Sequence, residues 1–122
     1  VYDSDVYNDD LPYYTQVQGK PHLIVPYSFT YNDGKFGLLP GYGGPWDFLD
    51  NLKRGFDELW REGETHPKMM SIGLHPRLIG QASRINALRE FIEYAQARGQ
   101  VLFTRRVDIA EWWHAHHAEF AR

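Results

Sequence analysis

The amino-acid sequence predicts an α/β protein in which short strands alternate with amphipathic helices. Three short apolar runs are typical of strands, and three longer segments carry apolar side chains at helical spacing. Such alternation predicts a parallel sheet or barrel with helices packed outside it. Chemistry in these folds collects at the carboxyl ends of strands, so we expect Tyr27, His75 and the pair Thr104-Arg105 at one edge.

The first third of the chain predicts little regular structure. Residues 1–22 are rich in Asp, Asn, Tyr and Pro, a composition that favours irregular backbone. Residues 22–26 predict a short strand that Pro26 ends. Residues 27–45 predict a long loop, and a loop of this length in a compact domain is often functional.

The first predicted helix begins at Pro45, a residue that suits the first helical turn. Apolar residues recur at helical spacing from Phe48 to Trp60, and Gly63 is the expected end. Residues 69–74 follow as a buried strand, which the pair His75-Pro76 ends.

The second predicted helix spans residues 82–98, with Ser83 as its cap and Gly99 as its end. Residues 101–103 predict another short strand. A last helix is expected from residue 107 or 108 to residue 120.

Composition argues against several classes of function. The formal net charge of -3 disfavours a nucleic-acid partner, which usually needs a basic surface. No apolar run approaches the roughly 18 residues that span a bilayer, so we expect no membrane partner. The sequence has no Cys, which excludes disulfides and cysteine-based zinc sites and favours a cytoplasmic location.

His75 is the first candidate for chemistry, because it directly follows a predicted apolar strand. An imidazole at such a strand end can exchange protons near neutral pH or bind a metal. The alternative is a structural histidine that bonds a neighbouring carbonyl. Position alone leaves both interpretations open.

Two further groups of polar residues are candidates for binding. Residues 2–14 carry four carboxylates, which could orient an Arg, hold a cation or bind a polar substrate. Tyr27, Asn32 and Asp33 follow the strand at residues 22–26, and amide and carboxylate groups can bind a ureido or sugar group. The alternative for both groups is a surface turn built from Asp and Asn.

Two basic groups favour structural roles. His114, His116 and His117 have poor spacing for a metal, since helical ligand pairs usually lie four residues apart, and a solvated helix end is favoured. Arg105 and Arg106 could bind an anion or an internal carboxylate, and an ion pair is favoured.

Short motifs spread over nearly the whole chain resemble those of one family, and their order and spacing match as well. The pieces are Tyr2-Asp3-Ser4-Asp5, Asn8-Asp9-Asp10-Leu11-Pro12-Tyr13, Val25-Pro26-Tyr27 with Asn32-Asp33, Gly55-Phe56-Asp57-Glu58-Leu59, Ile72-Gly73-Leu74-His75-Pro76, Gly80 and Arg84, and Asp108-Ile109-Ala110-Glu111-Trp112-Trp113. With these pieces the sequence resembles the polysaccharide deacetylase (NodB-homology) superfamily, most closely its PuuE-type allantoinase-like branch.

The resemblance implies a distorted (β/α) barrel of the polysaccharide deacetylase type and hydrolysis of a non-peptide carbon–nitrogen bond. It implies that His75 is the general acid and that Asp9 or Asp10 shapes the pocket and orients a catalytic Arg. We therefore expect His75 and Asp10 as catalytic residues. The expected substrate-binding residues are Asp5, Asp9, Tyr27, Asn32 and Asp33.

The family's N-terminal motifs, which hold the base and the metal-binding His pair, are absent from these residues. We therefore expect residues 1–122 to be the C-terminal portion of one domain and its N-terminal half to be a required partner. A divalent metal such as zinc would have its ligands in that half, so we expect no metal ligand here. We also expect a homo-oligomer that acts on a small-molecule substrate.

Three functions follow from the resemblance. The leading one is an allantoinase-like amidohydrolase that opens a small cyclic ureide. The second is an N-deacetylase of chitin- or peptidoglycan-type polysaccharide, which is disfavoured because Tyr13 or Tyr14 stands near the position of a family Trp. The third is a non-catalytic structural half-domain that completes a partner chain.

Overall fold

A computed structural model describes residues 2–120 of the chain. Among these, the residues up to Tyr27 and those from Leu102 onward form one compact unit, and Ser28–Val101 forms a second. The sheet lies in the first unit and the main helical core in the second. None of the helices within residues 2–120 combines the length and the apolar character that crossing a bilayer requires.

The first unit contains a three-stranded sheet in the order β1-β3-β2. Its strands are β1 (Tyr2–Asp3), β2 (Tyr13–Val17) and β3 (Lys20–Ile24). β1 pairs with β3 in parallel, whereas β2 pairs with β3 in antiparallel orientation. The predicted α/β class is confirmed, but the sheet is mixed where the sequence predicted only parallel strands.

The prediction of irregular structure over residues 1–22 is wrong for β1, for β2 and for the first three residues of β3; Val1 lies outside the described residues. A two-residue turn joins β2 and β3, with positive φ at Gln18 (51°) and Gly19 (74°). Two positive φ values are typical of the hairpin turn whose twist matches the flanking strands. β2 escaped prediction because it has polar residues and an exposed end, and its turn is not the usual Asn-Gly pair.

The last helix of the sheet unit, α4 (Arg106–His116), starts one residue before the earliest predicted start, and a 3₁₀ helix, His117–Phe120, continues it. Its N-terminus is held by Asp108, whose carboxylate accepts the Arg105 main-chain N–H at 3.2 Å and binds the Arg105 guanidinium at 2.6 Å. The predicted ion pair is thus confirmed for Arg105. These bonds lower the pKa of Asp108 from 3.8 to about 2.

The second unit is built on two long helices, α1 (Pro45–Glu62) and α3 (Ala82–Arg98). Both predicted helices are confirmed, and so are their glycine ends. Gly99 adopts a φ of 75°, which a residue without a side chain reaches without strain. The Ser83 cap is wrong, since α3 begins after Gln81 without a side-chain cap. The buried core residues are Phe48, Leu52, Phe56, Ile79, Ala87, Phe91 and Ala95.

Two short helices complete the second unit: a 3₁₀ helix, Asp33–Gly37, and α2, Pro76–Ile79. The predicted strand over residues 69–74 is wrong, since only Gly73 forms a bridge, with Asn32. The predicted strand over residues 101–103 is also wrong. Strand structure requires a hydrogen-bonded neighbour along its length, and within residues 2–120 these two segments have no such neighbour beyond the single bridge at Gly73.

The core of the second unit predicts a large effect of truncating Phe91, which is 2% exposed and packs edge-on against Phe56. Phe91→Ala should lower the free energy of unfolding by about 3–5 kcal/mol, because it removes a buried ring and leaves a cavity. Leu39→Ala, at a side chain 99% exposed, is the control and should change it by less than about 0.5 kcal/mol. Urea denaturation measures the free energy of unfolding of each variant. Equal losses for the two variants would contradict the assignment of Phe91 to the core.

The lowered pKa of Asp108 predicts a pH-dependent effect of Asp108→Asn. A carboxyl whose folded pKa lies below its unfolded value stabilises the fold above pH 3.8, and the effect is lost as pH falls toward 2. The variant should therefore unfold at lower urea than the original protein near pH 6. This difference in urea midpoint should shrink as pH falls from 4 toward 2. A difference that stays constant with pH would contradict the role of the Asp108 carboxylate at the N-terminus of α4.

Candidate active site

The backbone conformation of His75 follows from the proline after it. A residue before proline is driven to extended backbone, because the proline Cδ clashes with its main chain in the helical region. His75 has φ -116° and ψ 119°, and Pro76 is the first residue of α2. The His75 carbonyl accepts N–H bonds from Leu78 at 2.8 Å and Ile79 at 3.1 Å. His75 is therefore fixed at the point where an extended segment becomes helical.

A pairing of two extended segments brings Asp33 beside His75. Asn32 and Gly73 form a parallel bridge, in which the Asp33 N–H donates to the Gly73 carbonyl at 3.0 Å. The Asn32 side chain caps the 3₁₀ helix Asp33–Gly37 by accepting the Gly34 N–H at 2.7 Å. A Cβ on residue 34 would lie 2.8 Å from Asn32 Oδ1, so glycine leaves room for this cap.

The Asp33 carboxylate binds three nitrogen atoms of the α2 region. Asp33 Oδ1 lies 2.7 Å from His75 Nδ1, and Oδ2 accepts the main-chain N–H groups of His75 at 2.8 Å and of Ile79 at 3.2 Å. The Asp33 side chain is 0% exposed and that of His75 is 40% exposed. A buried carboxylate is stable only where donors replace the water that it has lost.

This geometry defines the chemistry that His75 can perform. An ionised carboxylate only accepts hydrogen bonds, so the proton lies on Nδ1 of the imidazole. Nε2, on the opposite side of the ring, is left to exchange a proton with a ligand or to bind a metal. His75 and Asp33 thus form a pair in which one residue carries the exchangeable proton and the other orients it.

The Asp33 charge also affects a nearby tyrosine. Partial burial raises the pKa of the Tyr42 hydroxyl, the hydrogen bond with Asn51 opposes this increase, and the charge of Asp33 adds to it. The Tyr42 ring lies 5.2 Å from that of Phe36 and 5.5 Å from that of Phe48, centroid to centroid. The carboxylate is therefore buried at the margin of the aromatic core.

Of the predicted site residues, Asn32, Asp33 and His75 lie together in the second unit. Asp5, Asp9 and Asp10 belong to the sheet unit, and all three are exposed. Asp9 Oδ1 accepts the main-chain N–H groups of Asp10 at 2.7 Å and of the following leucine at 3.1 Å, so Asp9 forms a turn. The catalytic role expected of Asp10 and the substrate contacts expected of Asp5 and Asp9 stay predictions.

Tyr27 is also predicted to bind substrate. It directly follows Val25 and Pro26, and Arg106 forms hydrogen bonds with the carbonyls of both. The Arg106 guanidinium donates to Ser4 Oγ at 3.0 Å and to the carbonyls of Val25 at 2.9 Å and Pro26 at 3.0 Å. Its Cζ lies 5.4 Å from the centroid of the Tyr27 ring. Burial lowers the pKa of the Arg106 guanidinium. The sequence suggested an anion or a carboxylate as the partner of Arg106 and gave no signal for these carbonyl contacts.

No three side chains of His, Cys, Asp or Glu within residues 2–120 lie together in a way that could hold a metal ion. Each of the C-terminal histidines has a nearby partner. His114 Nδ1 lies 2.6 Å from the Tyr14 hydroxyl, His116 Nδ1 lies 2.8 Å from the Trp112 carbonyl, and His117 Nδ1 lies 3.2 Å from another α4 carbonyl. The described residues therefore do not form a complete metal site.

The chain is similar in sequence to proteins that are named as polysaccharide deacetylases. It is 40% identical, over 126 aligned positions, to a Schizosaccharomyces pombe protein provisionally named as a polysaccharide deacetylase. That alignment covers 95% of this chain and 39% of the relative. No family model matches the chain.

Solved structures share the fold. The crystal structure of PuuE allantoinase superposes with a TM-score of 0.91 at 53% identity, and that of a provisionally named polysaccharide deacetylase from Pseudomonas aeruginosa PAO1 with 0.90 at 50%. Each match covers 95% of this chain and 39% of the other. A structure from Mycobacterium smegmatis, 24% identical with a TM-score of 0.81, supports the mixed α/β fold alone.

The buried carboxylate predicts a large stability effect of Asp33→Ala. The main-chain N–H groups of His75 and Ile79 would lose their acceptor, and each buried N–H without one costs about 1–3 kcal/mol. Asp50→Ala is the control, because its side chain is 63% exposed and its ion pair with Arg54 is screened by solvent, so its loss should change the unfolding midpoint little. Equal unfolding midpoints in urea for the two variants would contradict the role of Asp33.

Proposed function

We propose that this chain belongs to the polysaccharide deacetylase family and supplies the proton-donating histidine of an enzyme that hydrolyses a non-peptide carbon–nitrogen bond. The observation that carries the proposal is the 2.7 Å contact between His75 Nδ1 and the buried Asp33 carboxylate. A buried carboxylate that orients a partly exposed imidazole is a common arrangement in catalytic sites.

Hydrolysis needs a proton on the departing nitrogen. Water adds to the carbonyl carbon and its proton goes to a base, after which the carbon–nitrogen bond breaks and the nitrogen takes a proton. The imidazolium form of His75 donates that proton from Nε2 and becomes the neutral ring, which keeps its second proton on Nδ1, where Asp33 accepts it and stabilises the ring orientation. Asp33 itself is fully buried and its oxygens bind nitrogens of the α2 region, so we assign it a positioning role in place of substrate contact.

A small cyclic ureide is the favoured substrate class, since the chain is 53% identical to PuuE allantoinase over the matched part. The second candidate is an acetylated sugar polymer. It is favoured by the names of the relatives that are 40% and 50% identical. Both reactions break a carbon–nitrogen bond at a carbonyl group, so the same proton donor serves either.

The chain spans about two fifths of the length of the relatives that it matches. We propose that it is the C-terminal portion of a distorted (β/α) barrel, the remaining strands of which lie in the rest of the protein. The base and the ligands of any divalent metal such as zinc would lie there as well. The cytoplasmic location, the homo-oligomer and the absence of nucleic-acid and membrane partners stay predictions.

His75→Ala in the complete protein tests this function. The variant should lower kcat by roughly 10²–10⁴-fold, the usual contribution of a positioned acid or base. His66→Ala is the control, because His66 is an exposed histidine of the same unit and lies outside the proposed site. Allantoin and an acetylated sugar oligomer should be assayed in parallel, and we expect turnover of allantoin.

Two outcomes would change the proposal. Turnover of the sugar oligomer alone would favour the deacetylase. Full activity of His75→Ala would support a structural half-domain without catalytic residues. The 122-residue chain by itself should be inactive, and turnover by that chain would contradict the need for the remaining half.

A further inference from the structure

We propose that Arg84 is a positioning residue that fixes the position of His75 relative to Asp33, an inference that rests on the proposed function. The two residues are 42 positions apart in the sequence. Asp33 begins the first 3₁₀ helix and His75 precedes α2. Arg84, in the first turn of α3, contacts both of these short helices.

The contact with α2 is a hydrogen bond. Arg84 Nη1 donates to the Leu78 carbonyl at 3.2 Å. The Leu78 N–H in turn donates to the His75 carbonyl at 2.8 Å. Arg84 therefore restrains the single turn that starts at His75.

The contact with the 3₁₀ helix is a cation–π contact. Arg84 Cζ lies 4.5 Å from the centroid of the Phe36 ring, and Phe36 is in the same short helix as Asp33. The Phe36 ring in turn lies 5.6 Å from that of Phe48, which is fully buried. One guanidinium thus links the element that carries the carboxylate to the element that carries the imidazole.

An arginine suits this position for a physical reason. A planar guanidinium can stack on a ring through its face and donate hydrogen bonds at its edge at the same time. A four-residue helix such as α2 has no stability of its own, and its last carbonyls lack partners within the helix. The donor from α3 gives the Leu78 carbonyl a second partner beside the Gln81 N–H at 3.5 Å, so Arg84 adds a restraint to α2 beyond its bonds to Asp33.

Loss of Arg84 should act on the chemical step. If α2 and the 3₁₀ helix move apart, the distance from His75 to Asp33 becomes less constrained. Small misplacements of catalytic groups reduce rates by up to about 10²-fold. We therefore expect kcat to fall roughly 10- to 100-fold, with KM changed less than about threefold, because the proton donor and not substrate affinity is affected.

The test compares variants of the complete protein in steady-state kinetics. Arg84→Met keeps the length of the side chain but removes its charge and donors, and it should show the loss in kcat. Arg84→Lys keeps the cation and one donor and should recover part of it. Arg89→Met is the control, because Arg89 is exposed on the same helix, and its kcat should stay within twofold of the original.

Phe36→Leu provides a second test that keeps Arg84 and its bond to Leu78. It should also lower kcat, and combining it with Arg84→Met should add little further loss, because both remove the same link. Arg84→Met with unchanged kcat, or with a loss that Arg84→Lys does not reduce, would overturn the inference. His75→Ala separates the two claims: if it is fully active, the proposed function fails as well, and if it is inactive, only the role of Arg84 is in question.

Discussion

A carboxylate that is cut off from water needs hydrogen-bond donors in its place, and Asp33 takes its donors from a segment 42 residues further along the chain. These donors are two main-chain N–H groups of the α2 region and one nitrogen of the His75 ring. The interaction joins two short helices and fixes the orientation of an imidazole. A packing requirement and a chemical requirement are therefore met by the same contact.

The helices could be predicted from the sequence because their signals are local. Pro45, Gly63 and Gly99 mark helix ends through backbone preferences that hold in any context. The strands were harder, because pairing depends on residues far away in sequence. β2 is polar and was missed, whereas residues 69–74 are apolar and form only one bridge within the described part of the chain. Apolar character alone does not determine whether an extended segment finds a neighbour.

The sequence was sufficient to predict which residues form the candidate site. It was less informative about the role of each residue. His75 was found because it precedes proline at the end of an apolar run, and Asn32 and Asp33 because they follow a predicted strand and carry amide and carboxylate groups. The sequence suggested that Asp33 binds substrate, but its carboxylate is buried against His75. Burial depends on tertiary contacts, so polar residues in a loop give no sign of which ones face inward. Arg84 was noted only as part of a motif for the same reason.

The hydrogen bond between Asp33 and His75 can be tested most directly by NMR of the complete protein with ¹⁵N-labelled histidine. A neutral His75 ring should carry its proton on Nδ1, with a downfield signal that exchanges slowly, and Nε2 should be without a proton. Asp33→Ala should abolish that slow exchange. A neutral ring protonated on Nε2, or a Nδ1 signal unchanged in Asp33→Ala, would contradict the pairing on which the proposed chemistry depends.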